Sequence, residues 1–473
     1  MTIELIGILT LVVALLGMYR EPEFIVYAFF FATLLGSAAA FVLDSLGGTN
    51  ISPAHLLLGF LTIKLMSRPA VLQSSIREIA VGRPGFWLLL TTTYAVLSAY
   101  FMPRIFAGQT LIFSVREARN AYGTPLEPAM SNVTQSIYLV ANFVCFFVLS
   151  GYATQRAGRK TLENAALMCV LLNLIFVAID LATYVTNTTE LLAFMRNANY
   201  AILTDGIEIA GFKRIIGSFV EASSFGAATL GYFAFTSRLW LLGIRPRLTL
   251  VLTFLSLCAL VFSTSTTAYV GLALFLFLSY VGTVFRAMLR PMTPQMTLFL
   301  IGGPIVLLIL AIGIALNDDA WAYIMNLSDT MVLNKMSTDS GVERSTWNRQ
   351  ALQVFVDTYG FGAGNGSLRS SSFPLAVLAS LGIFGTTLFS LFFITLFAQR
   401  DTGADDWAAS ANRQAAKSAC LAWLITATIS GALTDLGLTF FFFAAIACSK
   451  PVRVSEPAPS FAGGPRPTLG VWR

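Results

Sequence analysis

The chain has 473 residues, of which 56% are hydrophobic and 11% charged. Soluble globular chains carry about 25% charged residues, so this composition excludes an ordinary soluble enzyme. The net charge of +6 is read as membrane topology and not as a nucleic-acid surface, because Lys and Arg collect in cytoplasmic loops of membrane proteins.

Apolar runs long enough to cross ~30 Å of hydrocarbon recur from end to end. Spans are expected near 3–19, 24–43, 54–66, 86–102, 134–153, 164–186, 216–236, 248–263, 267–285, 297–316 and 373–398. The last apolar block, 418–449, is interrupted by SGALTD (Ser430 to Asp435), which predicts two short spans. The expected fold class is all-α: a polytopic helical membrane protein with about 12–13 transmembrane helices and one large periplasmic loop. Long unbroken apolar runs argue against a β-barrel, whose strands alternate over about ten residues. The opening MTIELIGILTLVVALLGMYR lacks a basic n-region and a small-residue cleavage site, so it reads as a retained span.

Basic residues set the orientation. Arg68, Arg77 and Arg83 share one loop; Arg156, Arg159 and Lys160 a second; Arg238, Arg245 and Arg247 a third; Arg286 and Arg290 a fourth. Alternation is satisfied if all four are cytoplasmic. Segments 103–131, 187–215 and 317–372 then fall on the other side. Residues 1–449 are expected to form one transmembrane unit that includes the periplasmic loop 317–372. The Pro- and Gly-rich stretch 450–473 is expected as a disordered cytoplasmic tail.

Cys145, Cys169, Cys258, Cys420 and Cys448 all fall in or beside apolar spans, without metal-ligand spacing. They read as small buried hydrophobes. With His55 as the sole histidine, zinc chemistry and a histidine triad are not expected. No cofactor or metal is called for.

Chemistry is expected in the long outer loop, in RSTWNRQALQVFVDTYGFGAGNGS (Arg344 to Ser367). Ser340 and Glu343 have capping-box spacing. Trp347, Ala351 and Phe355 form an apolar stripe, and Arg349, Gln353 and Asp357 a polar one. Gly360 is a natural stop. The reading is an amphipathic helix at the membrane surface, followed by a glycine turn. Arg344 and Arg349 would lie at headgroup level, where guanidinium groups grip phosphate bidentately. Gly362 and Gly364 in the turn could offer backbone N–H groups as an anion nest. The bland alternative is an interfacial helix with snorkelling arginines.

A second segment, GFKRIIGSFVEASSFGA (211–227), places Lys213 and Arg214 at the mouth of a span. Glu221 follows about two turns into the expected helix. A carboxylate inside a span is a functional hypothesis by default, its bland alternative being an ion pair with Arg214. A third, STSTTAYVG (263–271), is a hydroxyl-rich hairpin that could bind sugar or phosphate, or satisfy its own backbone. Asp180 and Asp435 are further acids in or near spans, with no partner chosen by the sequence.

Together these segments resemble the O-antigen ligase and polymerase family, that is, the Wzy-type polymerases and WaaL-type ligases. The family's Arg-x-x-Gly-x-Phe-x-Glu pattern matches Arg214, Gly217, Phe219 and Glu221. Its long-loop arginine, followed after ten residues by glycine, matches Arg349 and Gly360; Gly362, Gly364, Gly366 and the serine-rich SLRSSS follow. The likeness covers roughly residues 200–400, and the spans before it match only in hydropathy. The long loop has no histidine, which favours a polymerase over a ligase. The Ser263-Thr264-Ser265 hairpin lacks an arginine often found there in the family.

The resemblance implies a glycosyltransferase in the bacterial inner membrane with a periplasmic active face. Its substrates would be oligosaccharide repeats on undecaprenyl diphosphate, joined into a surface or exopolysaccharide by inverting, metal-independent displacement. A flippase and a chain-length regulator are implied partners, besides the bilayer. In that reading Arg214, Arg344 and Arg349, helped by Gly362 and Gly364, hold the diphosphate. Glu221 is the first candidate base and Asp357 the second, and Trp347 and Tyr359 contact sugar or lipid. The alternatives are a ligase or oligosaccharyltransferase acting on lipid A or protein, and a secondary transporter, although no internal repeats are evident.

Overall fold

The computed structural model describes residues 2–43, 49–115, 123–198, 208–209, 212–289, 291–319, 321–322, 325, 339–399 and 407–449. The expected tail 450–473 and part of loop 317–372 lie outside these residues. Fifteen helices organise the description. They are α1 (Leu5–Tyr19), α2 (Pro22–Ala32), α3 (Pro53–Met66), α4 (Pro69–Glu78) and α5 (Pro84–Ile105). Next come α6 (Met130–Ala153), α7 (Arg156–Val185), α8 (Ala222–Leu241), α9 (Pro246–Val261), α10 (Thr266–Leu289) and α11 (Pro294–Ala315). The series closes with α12 (Asp339–Asp357), α13 (Phe373–Ala398), α14 (Trp407–Ser430) and α15 (Gly437–Cys448). Proline in the first turn opens α2, α3, α4, α5, α9, α11 and α13, where its missing N–H breaks no helical hydrogen bond. The only sheets among the described residues are two- and three-stranded ribbons in loops.

The all-α, multi-pass membrane character stands, but the span count differs from the expected 12–13. Among the described residues six helices, α5, α6, α7, α10, α11 and α13, are long and apolar enough to cross a membrane, and the bent pair α3–α4 makes a seventh if it is one span. α1, α2, α9 and α15 are apolar but shorter. Two expected spans end or start elsewhere. The run 24–43 stops as helix at Ala32 and finishes as a strand, Phe41–Leu43, paired with Thr49–Ile51. The run 216–236 becomes helical only at Ala222. The expected split of 418–449 is present, as the α14–α15 break.

α15 is the core. All of Phe440, Phe441, Phe442 and Phe443 are fully buried. Phe442 stacks on Phe30 of α2 with centroids 3.5 Å apart, and Phe441 stacks on Phe392 of α13 at 6.2 Å. At 1.5 Å rise per residue α15 spans only about 18 Å, which is acceptable because protein and not lipid surrounds it. Between apolar helices in a bilayer, such ring packing supplies dispersion contacts where the hydrophobic effect supplies little. α11 is the opposite case: none of its apolar window is buried by the rest of the described protein.

The four basic loops share one end. A Cβ on Gly151 would meet the Val71 carbonyl at 2.7 Å, which places α4 against the end of α6. Arg245 pairs with Glu163 at 3.4 Å, and the Thr293 hydroxyl donates to the Leu241 carbonyl at 2.6 Å. α4 bends 109° from α3 and lies at this end. The segments 34–43, 106–115, 186–198, 212–221, 358–372 and 431–436 form the opposite end, bound to one another as described next.

Candidate functional site

The glycine turn is a wedge in a broken helix. α13 is interrupted at Gly382, whose φ is +64°. The turn docks into that break. Ala363 N donates to the Ala379 carbonyl at 2.8 Å, Gly364 N to the Ser380 carbonyl at 2.9 Å, and Ile383 N to the Gly360 carbonyl at 2.9 Å. Gly360, Gly362, Gly364 and Gly366 have φ of +79°, +84°, +93° and +78°, a region that side chains disfavour. Space forbids a side chain as well. A Cβ on Gly362 would lie 2.7 Å from the Ser380 carbonyl oxygen, and one on Gly364 2.7 Å from that of Ser98. The expected anion nest at Gly362 and Gly364 is therefore corrected. Gly362 N already donates to Thr358 Oγ1 at 3.0 Å and Gly364 N to Ser380. Those donors hold the fold together, and no phosphate can claim them.

The turn continues into a hydrogen-bonded seam. Asn132 Nδ2 donates to the Asn365 carbonyl and to Ser367 Oγ, both at 2.8 Å. Thr434 Oγ1 donates to Asn365 Oδ1 at 2.6 Å, and Ser370 N to the Ala432 carbonyl at 3.0 Å. The long-loop turn, α6 and the α14–α15 break are thus one polar unit.

Asp180 organises the second segment. Its carboxylate, fully buried near the end of α7, accepts from Arg196 Nη2 at 3.0 Å and Lys213 Nζ at 2.8 Å. It also accepts from the backbone N–H groups of Ile216 (3.1 Å) and Gly217 (3.2 Å). These bonds, with Gly217 at φ +56°, keep 214–220 out of helix. That explains the late start of α8 and corrects the depth expected for Glu221. Glu221 stands at the N-cap of α8, at its mouth, with extended φ of −155°. Its carboxylate accepts from the Ser223 hydroxyl. Lys213 is thus bound to Asp180.

Glu221 and Arg344 are each within electrostatic reach of both Arg214 and Arg369. Burial lowers the Arg214 guanidinium from its usual range; Glu221 opposes this and Arg344 adds to it. Burial lowers Arg369 likewise, opposed by Glu343 and Glu221 and reinforced by Arg344. Neither Arg214 nor Arg369 has an ion pair or side-chain hydrogen bond among the described residues, and the Nε of each is buried without an acceptor. Orphaned buried donors are rare and call for a reason. Arg369 lies 3.9 Å over the ring of Trp347, so Trp347 supports an arginine before it can touch sugar.

Beside this cluster is a cavity of about 300 Å3 lined by Glu221, Ser223, Ser224, Trp423, Thr426, Ser430 and Asp435. Two carboxylates, Glu221 and Asp435, thus face one space next to three arginines. That arrangement suits an anionic ligand with a polar, hydroxyl-bearing part. The hydroxyl hairpin 263–265 is outside this group. Ser263 Oγ donates to the Leu260 carbonyl at 2.7 Å, the bland alternative for that residue, whereas Thr264 Oγ1 is buried without a partner among the described residues.

Three expected site residues are not brought to the cluster. Arg349 is exposed and makes no ion pair or side-chain hydrogen bond among the described residues. It shares the outward face of α12 with Leu352 and Val356. Asp357 is taken up by Thr110 Oγ1 at 2.6 Å and Gln353 Nε2 at 2.7 Å, which removes it as a base. Tyr359 is 80% exposed at φ +53°. The apolar stripe holds in part, with Trp347 and Ala351 buried and Phe355 half-buried. The expected capping box falls on Ser340, whose side chain lies outside the described residues. Sequence reading passed over Arg369, although SLRSSS was in view, because no spacing rule links it to Trp347. A scan against protein-family models, a search of curated proteins and a search of solved structures each find no match.

Proposed function

We propose that this protein is a glycosyltransferase that polymerises oligosaccharide repeats carried on undecaprenyl diphosphate. The active end is the one opposite the basic loops, which the positive-inside rule makes periplasmic in a bacterial inner membrane. The observation that carries the reading is the unpaired pair Arg214 and Arg369, with Arg344 in reach, beside a cavity bearing two carboxylates.

The chemistry needs two services. The leaving lipid diphosphate gathers negative charge, and fixed guanidinium groups in a water-poor site stabilise it. Each charge-assisted hydrogen bond contributes about 1.5–3 kcal/mol, worth roughly 10–100-fold in rate when made in the transition state. The attacking hydroxyl must lose its proton to a base, and Glu221 and Asp435 are the carboxylates facing the cavity. Glu221, beside Arg214 and held by Ser223, also orients the cations. The acceptor oxygen bonds to the anomeric carbon from the face opposite the diphosphate, so the configuration inverts.

The reading is tested in cells. A host lacking the protein should accumulate single lipid-linked repeats at the outer leaflet and make no polymer, and the gene should restore the ladder. Accumulation of repeats only at the inner leaflet would favour a transporter instead.

A further inference from the structure

A second cavity of about 300 Å3 lies behind the first, and Asp435 lines both. Its other polar wall is Asn50, Ser52, His55, Tyr138 and Thr439, set among alanines and leucines of the α2–α3 turn and of α15.

The wall is held in place, and specific atoms are left over. Ser52 Oγ lies 2.7 Å from His55 Nδ1 and fixes the imidazole, whose ring centroid is 5.0 Å from that of Tyr138. The Tyr138 hydroxyl donates to the Asn50 carbonyl at 2.7 Å. Asn142 Nδ2 and Gly437 N both donate to Asp435 Oδ1, each at 2.6 Å. Asp435 Oδ2 and His55 Nε2 have no hydrogen bond among the described residues, and Asn50 Oδ1 is buried without one. A carboxylate oxygen and an imidazole nitrogen are therefore left unengaged on residues that line a space at the small end of the ~300–1,000 Å3 range of ligand pockets. Hydroxyl groups, which donate and accept, match that set. A second anion does not, because the wall contains Asp435 and no arginine or lysine.

We propose that this second cavity holds the terminal sugar of the acceptor repeat, and that Asp435 is the catalytic base. The inference rests on the polymerase reading and divides its two substrates. The donor's diphosphate sits on the arginine cluster, the acceptor sugar on His55 and Asp435, and the wall they share is the place of reaction. Asp435 Oδ2 takes the proton of the acceptor hydroxyl as its oxygen bonds to the donor's anomeric carbon. The bond from that carbon to the diphosphate breaks, and its electron pair leaves with the lipid diphosphate. The oxygen Oδ1, held by two donors, keeps the carboxylate aimed. Glu221 is then a positioning residue for Arg214 and not the base.

The test uses the purified full chain with its native lipid-linked repeat as donor. The varied acceptor is the free oligosaccharide released from that repeat by mild acid. His55→Phe should raise the acceptor KM about tenfold, as expected for losing one or two hydrogen bonds, with the donor KM unchanged. Asp435→Asn keeps an acceptor for Asn142 and Gly437 N and should lower kcat by about 100-fold or more, again with the donor KM unchanged. Tyr138→Phe, which removes only the bond to the Asn50 carbonyl, should shift the acceptor KM less than His55→Phe. Wild-type kinetics in both His55→Phe and Asp435→Asn, or an equal rise of donor and acceptor KM, would overturn the acceptor site. If the wild-type protein elongates neither acceptor nor repeat, the polymerase reading itself fails.

Discussion

The Arg369 guanidinium lies over the Trp347 ring, 3.9 Å from its centroid, and so ties the serine-rich segment after the glycine turn to the first half of α12. Stacking and planar, bidentate donation are both properties of arginine that lysine lacks. Arg369→Ala is expected to lower the polymerisation rate about 10–100-fold, and Arg369→Lys to recover little of it. Initial rates on purified variants decide this. A lysine variant with wild-type rate would show that charge alone matters.

Asp180 is expected to act on stability first. It pairs with both Lys213 and Arg196 while holding the Ile216 and Gly217 N–H groups. Removing one partner of a buried ion pair typically costs roughly 3–5 kcal/mol. Asp180→Asn should therefore melt well below wild type in detergent, followed by size-exclusion fluorescence. An unchanged melting temperature with lost activity would place Asp180 in the chemistry instead.

Gly364→Ala should fail at the folding step. Its φ of +93° is strained for alanine, and the new methyl would lie 2.7 Å from the Ser98 carbonyl and 2.8 Å from the Pro103 ring. Gly59→Ala, whose Cβ meets nothing within 4 Å, is the control. Yields of monodisperse protein after extraction should fall sharply for the first and not for the second. Equal yields would mean that the turn is not wedged as described.

Arg344 and Arg349 should separate. Arg344 acts on both Arg214 and Arg369, whereas Arg349 points outward. Arg344→Ala is expected to lose about tenfold or more in rate, while Arg349→Ala stays within about twofold, a surface effect. A reversed order, measured at equal protein level, would place Arg349 on the substrate and require α12 to turn.

Helical membrane character was plain in the sequence because apolar runs and basic loops are local signals. The amphipathic α12, the stop at Gly360 and the break at Ser430 to Asp435 were also local, and they are present. The count of spans was not legible. Apolar runs at 24–43 and 216–236 read as spans, and only tertiary bonds show otherwise: strand pairing at Phe41–Leu43 and the grip of Asp180 on Ile216 and Gly217. The glycine turn misled for the same reason. Positive φ was readable from Gly at alternate positions, but whether the N–H groups face a ligand or Ser380 depends on α13 being broken at Gly382. His55 and Asp435 gain meaning only when chain segments hundreds of residues apart meet, and Arg369 only when the turn folds back on α12 and meets Glu221, and no spacing rule covers either.

The most direct measurement is a gel of glycan products from the purified protein in detergent, given only its native lipid-linked repeat. The account predicts a ladder of lengths in the wild type, and from Arg369→Ala and Asp435→Asn little beyond the unreacted repeat. A single transfer to added lipid A or peptide without a ladder, or a full ladder from both variants, would contradict it.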